Sequence, residues 1–361
     1  MISGGGTGGH IFPAISIADE LKKRYPDAEF LFVGAKDKME MQRVPQAGYA
    51  IEGIWISGIQ RKLSASNLAF PFKLLSSLSK CFSLIQKFKP DVVIGTGGFA
   101  SGPLLYAASL KGIPTLIQEQ NSYPGITNKL LSKRANSICV AYAKMDRFFP
   151  SSKIVFTGNP IRENIKNISI TKEKAVNEFG LNPNRATLLI LGGSLGARKI
   201  NQLIGANLDW LLSLNINILW QTGKLYINDL LDQFDARQND QLKIQAFLKD
   251  MDKAYSAADM VISRAGAGTI SELSVASKAT LLIPSPNVAE DHQTKNALAL
   301  ADNDAALVFK EKQAEEEFKQ LIEKLIQEKE QEKLSENIFK MAKPNSSETI
   351  GDEVVKLLKD A

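Results

Sequence analysis

Cysteine and histidine are scarce. Cys81 and Cys139 are the only two cysteines, too few for a disulfide framework or a structural zinc site, so buried thiols and a reducing compartment are expected, and no metal centre. Long apolar runs are missing too. The longest uncharged stretch, residues 92–110, is broken by Gly95, Gly97, Gly98, Gly102 and Pro103, whereas a spanning helix needs about 20 mostly apolar residues. The opening Met1-Ile2-Ser3, followed by glycines, lacks the basic and apolar regions of a secretory signal, so the protein is expected to stay inside the cell. Charge of one sign is also nearly balanced: 44 Lys and Arg against 39 Asp and Glu leave +5, too small an excess to announce a nucleic-acid binder. With 44% hydrophobic and 23% charged residues in 361, disorder is excluded and two domains with their own cores are expected.

What is present is an alternation of short β-branched or apolar runs, glycine-rich turns and stretches of helical spacing. That pattern predicts an α/β class with parallel sheets. Strands are expected at 29–34, 91–95, 115–118, 137–141 and 154–157, then at 187–191, 216–221, 242–247, 260–263 and 279–283. Each half carries two glycine-rich strand-to-helix turns: Ser3 to His10 and Gly95 to Pro103, then Gly192 to Ala197 and Arg264 to Thr269. Loops at the carboxyl ends of parallel strands are where open α/β sheets take ligands. The expectation is therefore two Rossmann-like domains with parallel sheets facing an interdomain cleft. Gly158-Asn159-Pro160 marks the boundary, a linker and helix start follow over 162–178, and the Glu- and Lys-rich stretch 314–333 predicts a solvated helix face.

Gly4, Gly6 and Gly9 satisfy G-x-G-x-x-G. A nicotinamide enzyme would also want an acid closing the second strand, but that strand ends at Gly34 with Asp37 beyond it, which leaves a loop whose amides can approach a phosphate. His10 and His292 both sit beside such loops: His10 is the candidate base, since imidazole titrates near physiological pH, and His292 suits a hydrogen bond within its loop. Asp250-Met251-Asp252 spells D-x-D, with Asp252 read as the N-cap of a helix over 253–258. Glu272 has two readings, a carboxylate in the first turn of a helix, favoured by the dipole, or a bidentate acceptor for two ribose hydroxyls. The stretch 68–88 mixes Leu68, Phe70, Phe72, Leu75, Leu78 and Phe82 with Lys73, Lys80 and Lys87, between Arg61-Lys62 and Lys89. Part must be core, and part reads as a patch that dips into an anionic leaflet: Phe70, Phe72, Leu75, Leu78 and Phe82.

Taken together, Gly5 to His10, Gly97 to Pro103, Glu119-Gln120-Asn121, Gly158 to Arg162, Gly192 to Ala197 and Ser263 to Glu272 resemble the MurG family. These bacterial peptidoglycan enzymes move N-acetylglucosamine from UDP-N-acetylglucosamine to lipid I, making lipid II. The resemblance, collinear over nearly the whole chain, implies a GT-B fold with an acceptor and membrane-side domain over 1–159, a donor domain over 160–342, and a last helix at about 343–361 returning to the first domain. It implies His10 as base of an inverting transfer to the C4 hydroxyl of the muramyl sugar. It also implies a donor site of Thr7, Gly8, Gly9, Asn121, Arg162, Ser194, Leu248 through its backbone, Ala267, Gly268, Thr269, Ile270, Ser271, Glu272 and Gln293. No cofactor is implied, UDP-N-acetylglucosamine being a substrate, and assistance by a divalent ion is left open. The implied partners are lipid I, an anionic membrane surface and cell-wall and division proteins, with no nucleic acid, at the cytoplasmic face of the cell membrane as a peripheral protein. The chain departs from the family in a shortened opening strand, in Thr294 where a second glutamine is usual after Gln293, and in Ser277-Lys278-Ala279. A UDP-N-acetylglucosamine 2-epimerase and a non-catalytic division scaffold are the rival readings.

Overall fold

The computed structural model describes residues 1–58, 69–193 and 195–359. The chain divides into two compact units, Met1–Ile161 with Lys343–Ala361, and Arg162–Ala342. In the first, β1 (Ile2–Ser3), β2 (Leu31–Ala35), β3 (Ala50–Ile54), β4 (Val93–Gly95), β5 (Thr115–Glu119), β6 (Ser137–Val140) and β7 (Ile154–Phe156) form one sheet in the order β3-β2-β1-β4-β5-β6-β7. In the second, β8 (Thr187–Leu191), β9 (Asn217–Gln221), β10 (Leu242–Gln245), β11 (Met260–Ser263), β12 (Ala279–Leu282) and β13 (Leu307–Val308) run in the order β10-β9-β8-β11-β12-β13. Every pairing is parallel, so the α/β expectation of two parallel sheets holds.

All ten expected strands are present, with ends shifted by at most two residues. Of the three others, β1 is the shortened opening strand noted with the resemblance, and β3 and β13 were not read from the sequence. β1 is only two residues long, yet Ile2 lies opposite both Phe32 and Ile94, which is how a stub becomes the middle of a sheet. β3 is an edge strand with an exposed start and Glu52 and Gly53 in its interior, both unfavourable for strands, and β13 has two residues. In the linker region lie helices Glu163–Lys166 and Lys172–Glu178, the latter capped by Thr171, whose hydroxyl accepts the Lys174 N–H at 3.4 Å.

The first unit buries the inner face of the helix Gly8–Arg24, with Ile11, Ala14, Ile17, Ala18 and Leu21 at helical spacing, against Ile2, Phe32 and Ile94 of the sheet and Ile350 and Val354 of the last helix, Ser346–Lys359. Each of the Ile, Leu, Val and Phe side chains among these contributes about 1.5–3 kcal/mol on full burial, and the alanines less. Arg24 ties the two helices, reaching Glu20 and Asp352 at 2.6 Å each and the Glu348 carbonyl at 2.8 Å. Cys81 and Cys139 are free and buried. In the second unit the stretch expected to be a solvated face is two helices, Glu315–Leu325 and Glu328–Lys340. Their charged faces are exposed, but Phe318, Ile322, Leu325, Leu334 and Ile338 are core.

Candidate active site

In the first unit, the loops after β1, β4 and β5, three adjacent strands, meet at the carboxyl edge of the sheet. Thr7 is extended (φ −146°) and its carbonyl accepts the N–H groups of His10 and Ile11, starting the helix that carries His10 in its first turn. The imidazole Nδ1 is 2.9 Å from the Thr96 carbonyl and 3.0 Å from Gln120 Oε1. A carbonyl oxygen only accepts, so Nδ1 carries the hydrogen, and in the neutral ring Nε2 keeps the basic lone pair. Gln120 is fixed in turn: its Nε2 donates to the carbonyls of Thr96 (2.7 Å) and Gln118 (3.1 Å) and to Gln118 Oε1. Gln118 Nε2 donates to Asn159 Oδ1 at 2.9 Å, and Asn159 Nδ2 to the Gln120 carbonyl at 3.0 Å. Gln118, Gln120 and Asn159 are all buried, and a buried, satisfied network of this kind holds one geometry. Gly97 closes the ring's other side at φ +99°, where a Cβ would stand 2.8 Å from Nδ1.

Asn121 is held from below by a carboxylate that sequence reasoning had not assigned. Glu119, 1% exposed, accepts the Asn121 N–H (3.0 Å) and Nδ2 (3.2 Å) on one oxygen, and the Gly125 N–H (3.1 Å) and Asn128 Nδ2 (2.8 Å) on the other. Glu119 and Gln120 stand in a motif that carries the resemblance, but the residues themselves signal no more than a run of polar side chains, Gln118 to Gln120, at the end of an apolar strand.

In the second unit, the helix Ala267–Val275 begins after Gly266 (φ −69°) with no side-chain cap. Among the described residues no side chain caps its first amides, at Ala267, Gly268 and Thr269, which leaves them to an anion. The hydroxyl of Ser271 turns back to the Ala267 carbonyl at 3.0 Å, and Ile270 is buried. Glu272 is the sixth residue of this helix, so the first-turn dipole reading is wrong: a carboxylate a turn further in is held by specific partners instead. Arg162 meets it with a bidentate fork, Nε to Oε1 at 2.7 Å and Nη2 to Oε2 at 2.8 Å, and the Tyr255 hydroxyl donates to Oε2 at 3.2 Å. Burial works against the Arg162 charge, but the hydrogen bonds and charge of Glu272 outweigh it and the pKa is raised. Burial first, and the Glu272 charge second, push the Tyr255 phenol well above its ordinary value, so it stays a donor.

Leu248 is buried, and its N–H donates to Gln221 Oε1 at 2.9 Å, so of its two backbone groups the carbonyl is the one left for a base. Gln293 spends Oε1 on the Ser285 N–H at 2.8 Å, which turns its amide N–H₂ outward, and His292 beside it opens the helix His292–Ala301. Ser194 lies outside the described residues. The expected cap at Asp252 is also corrected: the helix is Met251–Ala257 with Asp250 at its N-cap position, and Asp252, already inside, accepts from Asn164 at 3.1 Å. Among the described residues no group of three His, Cys, Asp or Glu side chains could hold a metal ion.

The five-residue apolar set on the helix Phe70–Phe88 divides. Phe70 and Phe82 pack against the core and Leu78 is half-buried, whereas Phe72 and Leu75 stand 69% and 66% exposed. The helix is apolar on two sides and only one can face the sheet. Trp55, exposed beside it, lies 5.7 Å from the Lys73 ammonium. Lys80 is neutralised by Glu52 at 2.9 Å. Arg61, Lys62 and Leu68 lie outside the described residues. No helix among those described is long and apolar enough to cross a membrane.

Residues 1–140 match the model of the glycosyltransferase family 28 N-terminal domain and residues 187–350 that of its C-terminal domain. A protein of Flavobacterium psychrophilum named UDP-N-acetylglucosamine--N-acetylmuramyl-(pentapeptide) pyrophosphoryl-undecaprenol N-acetylglucosamine transferase is 57% identical, covering 99% of this chain and 97% of its own. A protein of the same name from Christiangramia forsetii is 54% identical over the same shares. The crystal structure of Acinetobacter baumannii MurG superposes with a TM-score of 0.80 at 33% identity, over 99% of each chain.

Proposed function

The chain belongs to glycosyltransferase family 28, in its MurG group, and on that footing we propose that it moves N-acetylglucosamine from UDP-N-acetylglucosamine to the C4 hydroxyl of the muramyl sugar of lipid I, giving lipid II. The GT-B architecture, the two family 28 domains and full-length identity to transferases favour this over an epimerase or a scaffold.

The mechanism follows from one observation, the contact of His10 Nδ1 with the Thr96 carbonyl, which assigns the tautomer. With Nδ1–H held on the Thr96 carbonyl, Nε2 takes the proton of the C4 hydroxyl as its oxygen bonds to the anomeric carbon. The bond from that carbon to the diphosphate breaks, its electron pair leaves with UDP, and the anomeric centre inverts. UDP is a good leaving group, so no acid is needed to protonate it, in contrast to a glycosidase. The donor belongs to the second unit. Arg162 and Tyr255 engage three of the four lone pairs of the Glu272 carboxylate, so Oε1 keeps one for a ribose hydroxyl, and Oε2 takes the second hydroxyl in exchange for the Tyr255 contact. Arg162, with Nε and Nη2 spent, offers Nη1 to the diphosphate or sugar. The amides of Ala267 to Thr269 face the developing charge, the Leu248 carbonyl takes the uracil N3–H, and Gln293 donates to the sugar. Asn121, and Thr7 to Gly9 at the start of the His10 helix, complete the reading on the acceptor-side unit.

The lipid acceptor remains in a bilayer, so the first unit, with Phe72, Leu75 and Trp55 beside Lys73, is assigned to the cytoplasmic leaflet as a peripheral contact. A transfer assay with labelled UDP-N-acetylglucosamine and a lipid I analogue tests the proposal: β-1,4-linked product is expected only when acceptor is present. Conversion of the donor without acceptor would indicate an epimerase, and full complementation by a chain lacking His10 a scaffold.

A further inference from the structure

The two units carry equivalent glycine loops, one after β1 and one after β8, each strand standing between its second and fourth neighbours in the same sheet order. They differ in what faces their amides. Gly6 is the second glycine of the first loop's G-x-G-x-x-G, the position that lets a dinucleotide's pyrophosphate approach the backbone. Glu40 sits there. Its Oε2 accepts the Gly6 N–H at 2.9 Å, its Oε1 accepts the Ala35 N–H at 3.0 Å, and the side chain is fully buried. Two glycines make the room: a Cβ on Gly5 would lie 2.2 Å from Oε1, and one on Gly34 would lie 2.5 Å from Cγ. Glu40 opens the helix Glu40–Gln46, five residues past the end of β2. An acid closing that strand would bind ribose in a nicotinamide enzyme; this one turns inward onto the loop.

Among the described residues the second loop shows no such occupant. The Gly192 N–H goes to the Gln221 carbonyl at 3.1 Å and the Gly196 N–H to the Gly193 carbonyl at 3.2 Å, and a Cβ on Gly193 would meet nothing within 4 Å. Among the described residues no carboxylate bonds to its amides.

We propose that Glu40 is a specificity-determining residue, an internal anion that holds the first glycine loop in a phosphate-bound shape and so refuses it to a nucleotide diphosphate. A buried carboxylate is stable only when hydrogen-bonded, and both of its bonds come from backbone amides, not from a lysine or arginine. An incoming phosphate would find the Gly6 amide spent and a like charge behind it. The idea rests on the donor assignment made above, for it explains why the nucleotide belongs to the second unit and not to the first glycine loop. The same contact anchors the loop that leads to His10.

The test is calorimetry on the full chain with inorganic pyrophosphate, in saturating UDP. Wild type is expected to take up none, and Glu40→Ala, shown folded by its melt, to bind one pyrophosphate at least tenfold more tightly than wild type. Glu40→Gln keeps the seat filled but removes the charge; it should bind none and lose about tenfold in kcat with UDP affinity unchanged, a split that general destabilisation would not produce. If Glu40→Ala does not fold alone, its refolding yield with and without pyrophosphate reads the same seat, and a yield indifferent to the anion overturns the proposal. So does a folded Glu40→Ala that takes no pyrophosphate, or a Glu40→Gln enzyme with wild-type kcat. The donor assignment fails separately, by a wild-type chain that binds no UDP; the pyrophosphate difference between wild type and variants would still decide Glu40.

Discussion

At the scale of the residue, the hydrogen bond from His10 Nδ1 to the Thr96 carbonyl is what would make the proposed base usable. His10→Ala should lower kcat by about 10²–10⁴, the range of a positioned base, with UDP affinity in a calorimetric titration unchanged; near-normal turnover would pass the role to another group. Glu272 is the proposed ribose acceptor. Glu272→Ala removes charged hydrogen bonds worth about 1.5–3 kcal/mol each, so UDP should bind about tenfold or more weakly. Tyr255→Phe, which frees Oε2 of one donor but leaves the Arg162 fork, should weaken binding less, and a Tyr255→Phe loss as large as that of Glu272→Ala would mean the phenol itself meets the ligand. The thiols give a pH prediction. Burial pushes Cys81 up to about 12 and Cys139 higher still, so at pH 8 both are neutral, and since the thiolate is the nucleophile neither should react with iodoacetamide until the protein unfolds or the pH nears 12. His10 and Glu272 were visible in the sequence as candidates, being a rare residue type and an acid set beside glycine turns. Gln120, Glu119, Tyr255 and Glu40 were not, because each acts through burial and hydrogen bonds whose partners the fold supplies.

At the scale of the element, period and turn chemistry gave the ten strands that have apolar runs, while β1 exists only because β2 and β4 flank it. No local pattern in Ile2–Ser3 reports that. The helix Phe70–Phe88 makes the same point about faces. Its apolar positions could be read from the sequence, but which of them meet the sheet could not, since they cover more than one side. The structure separates them, and a pair of variants should as well. Phe72→Ser with Leu75→Ser should leave the melting temperature nearly unchanged, as expected for exposed positions, and should weaken sedimentation with anionic vesicles. Phe82→Ser, at a core-packed ring, should lower the melting temperature, large-to-small changes at buried aromatics costing up to about 3–5 kcal/mol. Equal loss of stability in both would show that Phe72 and Leu75 are covered in solution.

At the scale of the whole molecule, a net charge of +5 conceals an uneven distribution. Residues 69–161 hold eleven Lys and Arg against three Asp and Glu, so this part of the first unit is more positive than the entire chain, and the remainder is slightly acidic. A basic group near an anionic surface is worth about 1 kcal/mol, so several acting with the exposed Phe72 and Leu75 would supply enough for the proposed reversible contact. Electrostatic attraction of this kind is screened over about 10 Å at 0.1 M salt and about 3 Å at 1 M. Sedimentation with anionic vesicles should therefore be strong at 0.1 M salt and largely lost at 1 M, and weak on neutral vesicles at either. Turnover of full-length lipid I in those vesicles should fall in parallel, while turnover of a short-chain soluble analogue should change far less, because its route to His10 involves no membrane. Binding that ignored both salt and lipid charge would show that the basic excess plays no part and that apolar insertion alone carries the contact. If the soluble analogue lost activity as steeply as lipid I, the salt would be acting on the diphosphate sites of the substrates, and the membrane assignment of the first unit would fail.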